Sequence, residues 1–243
     1  MNLQAKKGVL LIHGLTGTPS ELRSLKKRLE ENVFYCESPI VSGHLSSVFD
    51  LESKRWEDWY KPIEEDFINM TQKFSEVYIA GLSLGSLLAM HLAKKHAIKI
   101  DALALLSSPI VLKGLKIHFL PFIIHSPLNY LYRFEKKNET GILDGMARIK
   151  HKGYDEIPVK SVWELLKLKK MVLKELNEIK IPVLMCHSEK DETADIKGGY
   201  ILFNKLGSDI KKFVRLKSSG HIITEDFEKD VVEKEIIDFF KSN

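Results

Sequence analysis

The chain has 243 residues, of which 44% are hydrophobic and 29% charged, which is ordinary for a soluble globular protein and enough for one α/β domain. Its 37 basic and 33 acidic side chains are interleaved, so the formal charge of +4 produces no basic tract of the kind that nucleic-acid binding needs. No apolar run reaches the roughly 18 residues of a transmembrane helix, and the first residues lack the features of a signal peptide. We therefore expect a cytoplasmic protein that neither binds nucleic acid nor inserts stably into membranes.

Six short apolar runs predict the strands of one sheet. Runs without polar alternation, such as "GVLLIHG" (8–14) and "VYIAGL" (77–82), are typical of parallel strands that are buried on both faces. The other four runs are "NVFYCES" (32–38), "DALALLSSP" (101–109), "PVLMCHS" (182–188) and "KKFVRL" (211–216). Two of these runs contain the only cysteines, Cys36 and Cys186, which we expect to be buried, reduced thiols.

Amphipathic segments alternate with these runs and predict helices. The first follows Thr18, a suitable N-cap residue, and has Pro19 in its first turn. The predicted helices span residues 19–31, 53–74, 84–96, 194–206 and 228–240. Strands that alternate with helices imply right-handed crossovers, so the pattern predicts an α/β fold with a doubly wound, mostly parallel sheet.

Residues 111–163 interrupt this alternation between the fourth and fifth predicted strands. Pro121 and Pro127 break the apolar first half of the segment, which argues against a single long helix. We predict an inserted cap or lid here, with residues 1–110 and 164–243 forming the core of a single domain.

The apolar side chains of this cap are candidates to bind the acyl or alcohol part of a substrate. The candidates are Phe119, Phe122, Ile123, Leu128 and Tyr130. The alternative is that they pack as core beneath the lid. A third interpretation is a surface for a second copy or for a membrane; we expect a monomer or a weak homodimer.

A glycine-flanked serine marks the end of the third predicted strand. Gly81-Leu82-Ser83-Leu84-Gly85 fits G-x-S-x-G, in which a strained turn projects the serine hydroxyl beyond the sheet. Residues two before and two after the serine must be nearly free of side chain, or they collide with neighbouring backbone. The positive end of the following helix favours an oxyanion that forms beside it. The motif thus predicts a nucleophile at Ser83, with a tight structural turn as the alternative.

A serine hydroxyl is a weak nucleophile without a base, so the chain must also supply a histidine and an acid that orients it. His221 follows the last predicted strand, and Asp191 follows the strand before it. Ser83, Asp191 and His221 therefore come in the order nucleophile, acid, base that this motif takes. Three neighbouring acidic residues are the alternatives for the acid: Glu189, Glu192 and Asp195.

The stretch "HGLTGTPSE" (13–21) follows the first predicted strand and can turn towards the nucleophile. An oxyanion hole needs one backbone donor after the nucleophile and a second from such a loop. We assign these donors to the N–H groups of Leu84 and Leu15, and expect His13 to hold the loop by hydrogen bonds. No cluster of metal ligands, P-loop or dinucleotide-binding glycine motif occurs, so we expect neither a metal nor a nucleotide cofactor.

Four stretches of the chain resemble the signature sequences of one enzyme family. The stretches "GVLLIHGLTGTPSE", "GLSLGS", "PVLMCHSEKDE" and "SSGHIITEDFEKD" look like those of the small bacterial carboxylesterases of the α/β-hydrolase superfamily, close to the monoacylglycerol-lipase-like branch. The resemblance spans nearly the whole chain and includes "SKRWEDWY" (53–60). The chain departs from the pattern of this family at Ser86, where many relatives have glycine, and at Leu15, where many have an aromatic residue.

The resemblance implies an α/β-hydrolase fold and a serine carboxylesterase that acts on small-molecule, short- to medium-chain esters through an acyl-enzyme. It implies Ser83 as nucleophile, Asp191 as acid and His221 as base, and Leu15 and Leu84 match the oxyanion positions. A monoacylglycerol lipase or a thioesterase could use the same triad. A silent binding module with this fold is the remaining alternative, and the intact triad argues against it.

Overall fold

The computed structural model describes residues 7–114, 119–137 and 141–243. Eight strands occur in this part of the chain: β1 Lys7–Ile12, β2 Tyr35–Glu37, β3 Glu76–Leu82, β4 Ala102–Leu106, β5 Phe134–Lys136, β6 Glu156–Pro158, β7 Val183–Ser188 and β8 Lys211–Leu216. Six of them form one sheet in the order β2-β1-β3-β4-β7-β8, and every neighbouring pair is parallel. All six predicted strands and their parallel arrangement are thereby confirmed.

Helices connect these strands. They are α1 Arg23–Glu31, α2 Val48–Ser53, α3 Trp56–Lys73, α4 Leu84–His96, α5 Leu120–Ile124, α6 Gly145–Lys150, α7 Val159–Glu175, α8 Lys197–Lys205 and α9 Lys229–Ser242. In the described residues, none of these helices has the length and apolarity that a membrane span requires.

Two of the predicted helices begin later in the structure than predicted. The segment predicted as 19–31 begins with a 3₁₀ turn, Pro19–Leu22, in which the Thr18 hydroxyl accepts the N–H of Ser20. The segment predicted as 53–74 contains the break between α2 and α3. There the Asp58 carboxylate accepts the N–H of Arg55 and starts a new helix. α2 itself was not predicted, and α3 accounts for nearly all of the predicted segment.

The sheet has a separate apolar layer on each face. Leu10 and Ile12 of β1 belong to a cluster with buried side chains of α3, α4 and α7. Val9 and Leu11 belong to a second cluster with buried side chains of α1 and α9. Both faces of each central strand are therefore buried, which explains why the strand sequences are apolar without alternation.

The segment predicted as a cap contains short elements rather than one long helix. Pro121 and Pro127 lie at the starts of α5 and of a 3₁₀ turn, Pro127–Tyr130, as their lack of an N–H allows. β5 and β6 pair antiparallel. α7 was not predicted from the sequence, and the cap boundary placed after residue 163 lies within that helix. The buried side chains of α7 join the layer that contains α3 and α4.

Candidate active site

Ser83 lies on a strained turn between β3 and α4. Its backbone has φ 52° and ψ −114°, a region that residues with a side chain rarely adopt. A Cβ atom on Gly81 would overlap the carbonyl oxygen of Gly85, and one on Gly85 would overlap the carbonyl oxygen of Ile12. The two glycines of the motif are therefore required because backbone passes where their side chains would be, as the sequence analysis predicted.

Ser86, where the resemblance led us to expect glycine, connects the turn to the helix by hydrogen bonds. Its hydroxyl donates a hydrogen bond of 2.6 Å to the carbonyl oxygen of Ser83, and its N–H donates to the same oxygen at 2.9 Å. On the other side, the N–H of Ser83 donates to the carbonyl oxygen of Leu106 in β4 at 2.9 Å. A serine is accommodated here because its hydroxyl finds an acceptor within the turn.

His221 connects the nucleophile candidate to the acid candidate. Its Nε2 lies 2.9 Å from Oγ of Ser83, and its Nδ1 lies 2.7 Å from Oδ2 of Asp191. All three residues are buried. The structure therefore brings together the three side chains that the chain order had suggested, at hydrogen-bonding distances.

Asp191 is placed to remain charged. Its Oδ1 accepts the N–H groups of Thr193 and Ala194 at 2.8 and 2.9 Å, and its Oδ2 lies 3.2 Å from Nε2 of His187. Burial alone would raise the pKa of this carboxyl, but the charge of His221 and the hydrogen bonds outweigh burial and hold the pKa well below its usual range. His187 was not predicted as a contributor to the site.

The pKa of His221 moves in the complementary direction. Burial alone would lower it, but the Asp191 carboxylate acts on the imidazole by charge and by hydrogen bond, and the net effect raises the pKa. The three alternative acids make no such contact: Glu189 and Glu192 are exposed, and Asp195 accepts the N–H of Lys197 at the start of α8.

The loop after β1 passes directly beside the nucleophile candidate. A Cβ atom on Gly14 would lie 3.5 Å from Cβ of Ser83. Among the described residues, no acceptor is hydrogen-bonded to the N–H of Leu15 or of Leu84. Two uncommitted backbone donors of this kind are what an oxyanion hole requires.

Two buried histidines hold that loop. Nε2 of His13 accepts the N–H of Val41 at 3.1 Å while its Nδ1 faces the carbonyl oxygen of Gly14 at 2.9 Å. Nε2 of His44 accepts the N–H of Thr16 at 3.0 Å. Burial lowers the pKa of His13 to about 3 and that of His44 to about 4, so both rings are neutral and can accept. These contacts fit the structural role predicted for His13.

Glu21 also holds the loop after β1, through a hydrogen bond to its backbone. Its Oε2 accepts the N–H of Gly14 at 2.9 Å, and a Cβ atom on Gly17 would overlap its carboxyl group. Burial raises the pKa of this carboxyl to about 7. Glu21 was not predicted as a contributor to the site, because an acidic residue in a first helical turn is commonly a solvated one.

We expect Glu21→Gln to stabilise the protein more at pH 8 than at pH 5. Folding raises the pKa of Glu21 from 4.5 to about 7, so in this pH range the folded state keeps a proton that the unfolded state releases. Stability therefore falls as the pH rises through the range. Glutamine does not ionise, yet its amide oxygen can still accept the N–H of Gly14. Urea unfolding of both proteins at the two pH values measures the effect, and an equal difference at both values contradicts it.

The cap candidates are placed unevenly. Phe119 and Phe122 are 65% and 67% exposed, so they are not packed core. Ile123 and Leu128 are half-buried, and the side chain of Tyr130 lies outside the described part of the structure. Contact of these residues with a substrate stays a prediction.

A parallel sheet that presents a strained serine between a strand and a helix, with histidine and aspartate on later loops, defines an α/β-hydrolase. Comparison with known families agrees with this class. The chain belongs to the Hydrolase_4 family, described as serine aminopeptidase, S33, which matches residues 4–230.

Individual relatives of the chain are named as lipases or esterases. The chain is 27% identical to a thermostable monoacylglycerol lipase of Bacillus sp. (strain H-257), over 96% of this chain and 90% of the relative. It is 25% identical to a carboxylesterase of Bacillus subtilis (strain 168), over 97% and 92%. A solved structure from work on LipS and LipT, two metagenome-derived lipolytic enzymes, shares the fold with a TM-score of 0.90 at 20% identity, over 98% of this chain and 94% of the other. The predicted resemblance is thus confirmed, and the family together with these relatives supports a carboxylic ester hydrolase.

Proposed function

We propose that the protein hydrolyses short- to medium-chain carboxylic esters through an acyl-enzyme intermediate on Ser83. The observation that carries this proposal is the position of His221, whose ring bridges Oγ of Ser83 and the carboxylate of Asp191 at 2.9 and 2.7 Å. A neutral imidazole in this position can accept the serine proton, and the carboxylate stabilises the cation that results.

In the acylation step, Oγ of Ser83 attacks the ester carbonyl carbon while its proton passes to Nε2 of His221. The carbonyl oxygen becomes an oxyanion, which the N–H groups of Leu15 and Leu84 stabilise. When the tetrahedral intermediate collapses, the bond from carbon to the alcohol oxygen breaks. His221 gives its proton to that oxygen, the alcohol leaves, and the acyl group remains on Ser83.

Deacylation repeats the same steps with water as the nucleophile. His221 takes a proton from a water molecule as the water oxygen attacks the acyl carbon. The bond from that carbon to Oγ of Ser83 then breaks, His221 returns the proton to Oγ, and the carboxylic acid leaves. The buried, low-pKa carboxylate of Asp191 keeps a hydrogen on Nδ1 of the imidazole throughout. The cap segment 111–163 would cover this site and supply apolar contacts for the substrate.

A monoacylglycerol lipase is the second candidate function. The observation that favours it is the 27% identity to a thermostable monoacylglycerol lipase over 96% of the chain. The two functions use the same triad chemistry and differ in the alcohol that leaves.

We expect kcat/KM for p-nitrophenyl esters to be highest for acyl chains between butyrate and octanoate and to fall towards palmitate. We expect the apolar contacts that the cap supplies to bury an acyl chain of medium length. A longer acyl chain leaves its last methylene groups in water. The series should be measured beside monoacylglycerols of the same acyl lengths, with Ser83→Ala as the background. A monoacylglycerol that exceeds the simple ester of equal length would select the second function.

A further inference from the structure

Asp226 lies in the turn after His221 and is 1% exposed. Its Oδ2 accepts the N–H of Gly220 at 2.6 Å and that of Leu143 at 2.8 Å. Its Oδ1 accepts the N–H of Asp144 and that of Phe227, both at 2.9 Å. One carboxylate thus joins the residue before His221 to two residues of the cap segment.

The backbone of the cap also contacts both neighbours of His221 directly. The N–H of Ile222 donates to the carbonyl oxygen of Gly141 at 2.9 Å, and a Cβ atom on Gly220 would lie 2.6 Å from the same oxygen. Gly141 itself has φ +76°, and a Cβ atom there would lie 3.1 Å from Cβ of His221. Residues 141–144 therefore form one wall of the pocket in which the histidine is held.

Residues 217–219, which come just before this part of the loop, are held by a different carboxylate. The Glu228 carboxylate, at the start of α9, accepts the N–H groups of residues 217, 218 and 219 at 3.0, 2.7 and 2.9 Å. None of these three contacts involves the cap. The loop is thus fixed by Glu228 as far as residue 219, while from residue 220 to residue 222 it is held by Asp226 and by the carbonyl oxygen of Gly141.

We propose that Asp226 is a positioning residue that couples His221 to the cap segment 141–144. The proposal rests on the proposed function, in which His221 is the base, and adds that the placement of the cap determines the placement of that base. When residues 141–144 are displaced from Asp226, Nε2 of His221 moves away from its hydrogen-bonding position beside Oγ of Ser83. The cap then controls kcat, besides any contact that it makes with the substrate.

Asp226→Asn tests the coupling with little change in shape. Each carboxylate oxygen accepts two N–H groups, so the amide nitrogen of asparagine must face two donors. We expect kcat to fall on the order of 10- to 100-fold, as misplacement of a reacting group does, while KM stays within a factor of about two of wild type. The matched control is Asp230→Asn. Asp230 is exposed and lies at the start of α9, so this variant should retain wild-type kinetics.

The pH profile separates positioning from a general loss of folded enzyme. Asp191 raises the pKa of His221, so a histidine that has drifted from Asp191 loses that rise. The acidic limb of kcat/KM in Asp226→Asn should therefore move to lower pH. Glu21 and Lys137 also act on the imidazole and are unchanged in the variant. Asp226→Asn removes a buried negative charge of its own, so the decisive shift is that of Gly141→Ala, which changes no charge. Loss of folded protein alone would lower the whole profile without moving the limb.

Gly141→Ala tests the same coupling from the cap side and does not depend on Asp226→Asn folding. The added methyl group would press on Cβ of His221, so the variant should show the same loss of kcat and the same shift of the acidic limb. A variant pair that changes KM alone, or that keeps wild-type kcat and pH profile, overturns the proposal. If the wild-type enzyme instead shows no Ser83-dependent ester hydrolysis, the proposed function is what fails.

Discussion

Ser83→Ala is expected to lower kcat for ester hydrolysis at least about 10³-fold, because triad enzymes without their nucleophile keep only the catalysis that their other groups supply. The strained turn that presents Ser83 accepts alanine as readily as serine, since strain at φ 52° concerns the backbone and Cβ. Substrate binding and thermal stability should therefore remain near wild type. Steady-state kinetics on a p-nitrophenyl ester measures the loss.

A fluorophosphonate probe gives an independent measurement of the same assignment. It should label the wild-type protein once, at Ser83, and should leave Ser83→Ala unlabelled. Ser86→Ala is the matched control. Ser86 lies three residues away, and its hydroxyl donates a hydrogen bond to the carbonyl oxygen of Ser83. This control should still be labelled. Wild-type activity in Ser83→Ala would show that the nucleophile lies elsewhere.

The parts of the fold that the sequence predicted are those encoded in short, local patterns. Strands such as β1 and β3 are buried on both faces and so are apolar at every position, which makes them readable without knowing their neighbours. α7 is equally regular, yet its pattern follows a polar segment and was not predicted, and its first residues, 159–163, were assigned to the cap. Its place in the core depends on contacts with α3 and α4, which no local pattern contains.

The same distinction divides the candidate site. Ser83, His221 and Asp191 could be predicted because a motif and a chain order point to them, and the structure brings their side chains together. Glu21 and Asp226 could not, because each acts through backbone N–H groups whose positions depend on how distant segments fold. The sequence of a segment that donates backbone N–H groups does not indicate which carboxylate will accept them.

Asp191→Asn is expected to lower kcat about 10⁴-fold, the effect of placing an asparagine behind a catalytic histidine. The reason lies in the bonds that Asp191 makes. Its Oδ1 accepts the N–H groups of Thr193 and Ala194, so the amide oxygen of asparagine will take this position and its NH₂ group will face His221. Nδ1 of His221 must then accept rather than donate.

A histidine that accepts at Nδ1 carries its hydrogen on Nε2 and cannot take the proton of Ser83. The loss of the Asp191 charge also removes the rise in the pKa of His221, so the residual activity should show its acidic limb at lower pH than wild type. Glu192→Gln makes the same change of charge one position along the chain on an exposed side chain, and should keep near wild-type kcat. If Glu192→Gln or Asp195→Asn proves more damaging than Asp191→Asn, the acid must be reassigned. The loop after β7 would then have to rearrange in solution to bring that carboxylate to His221.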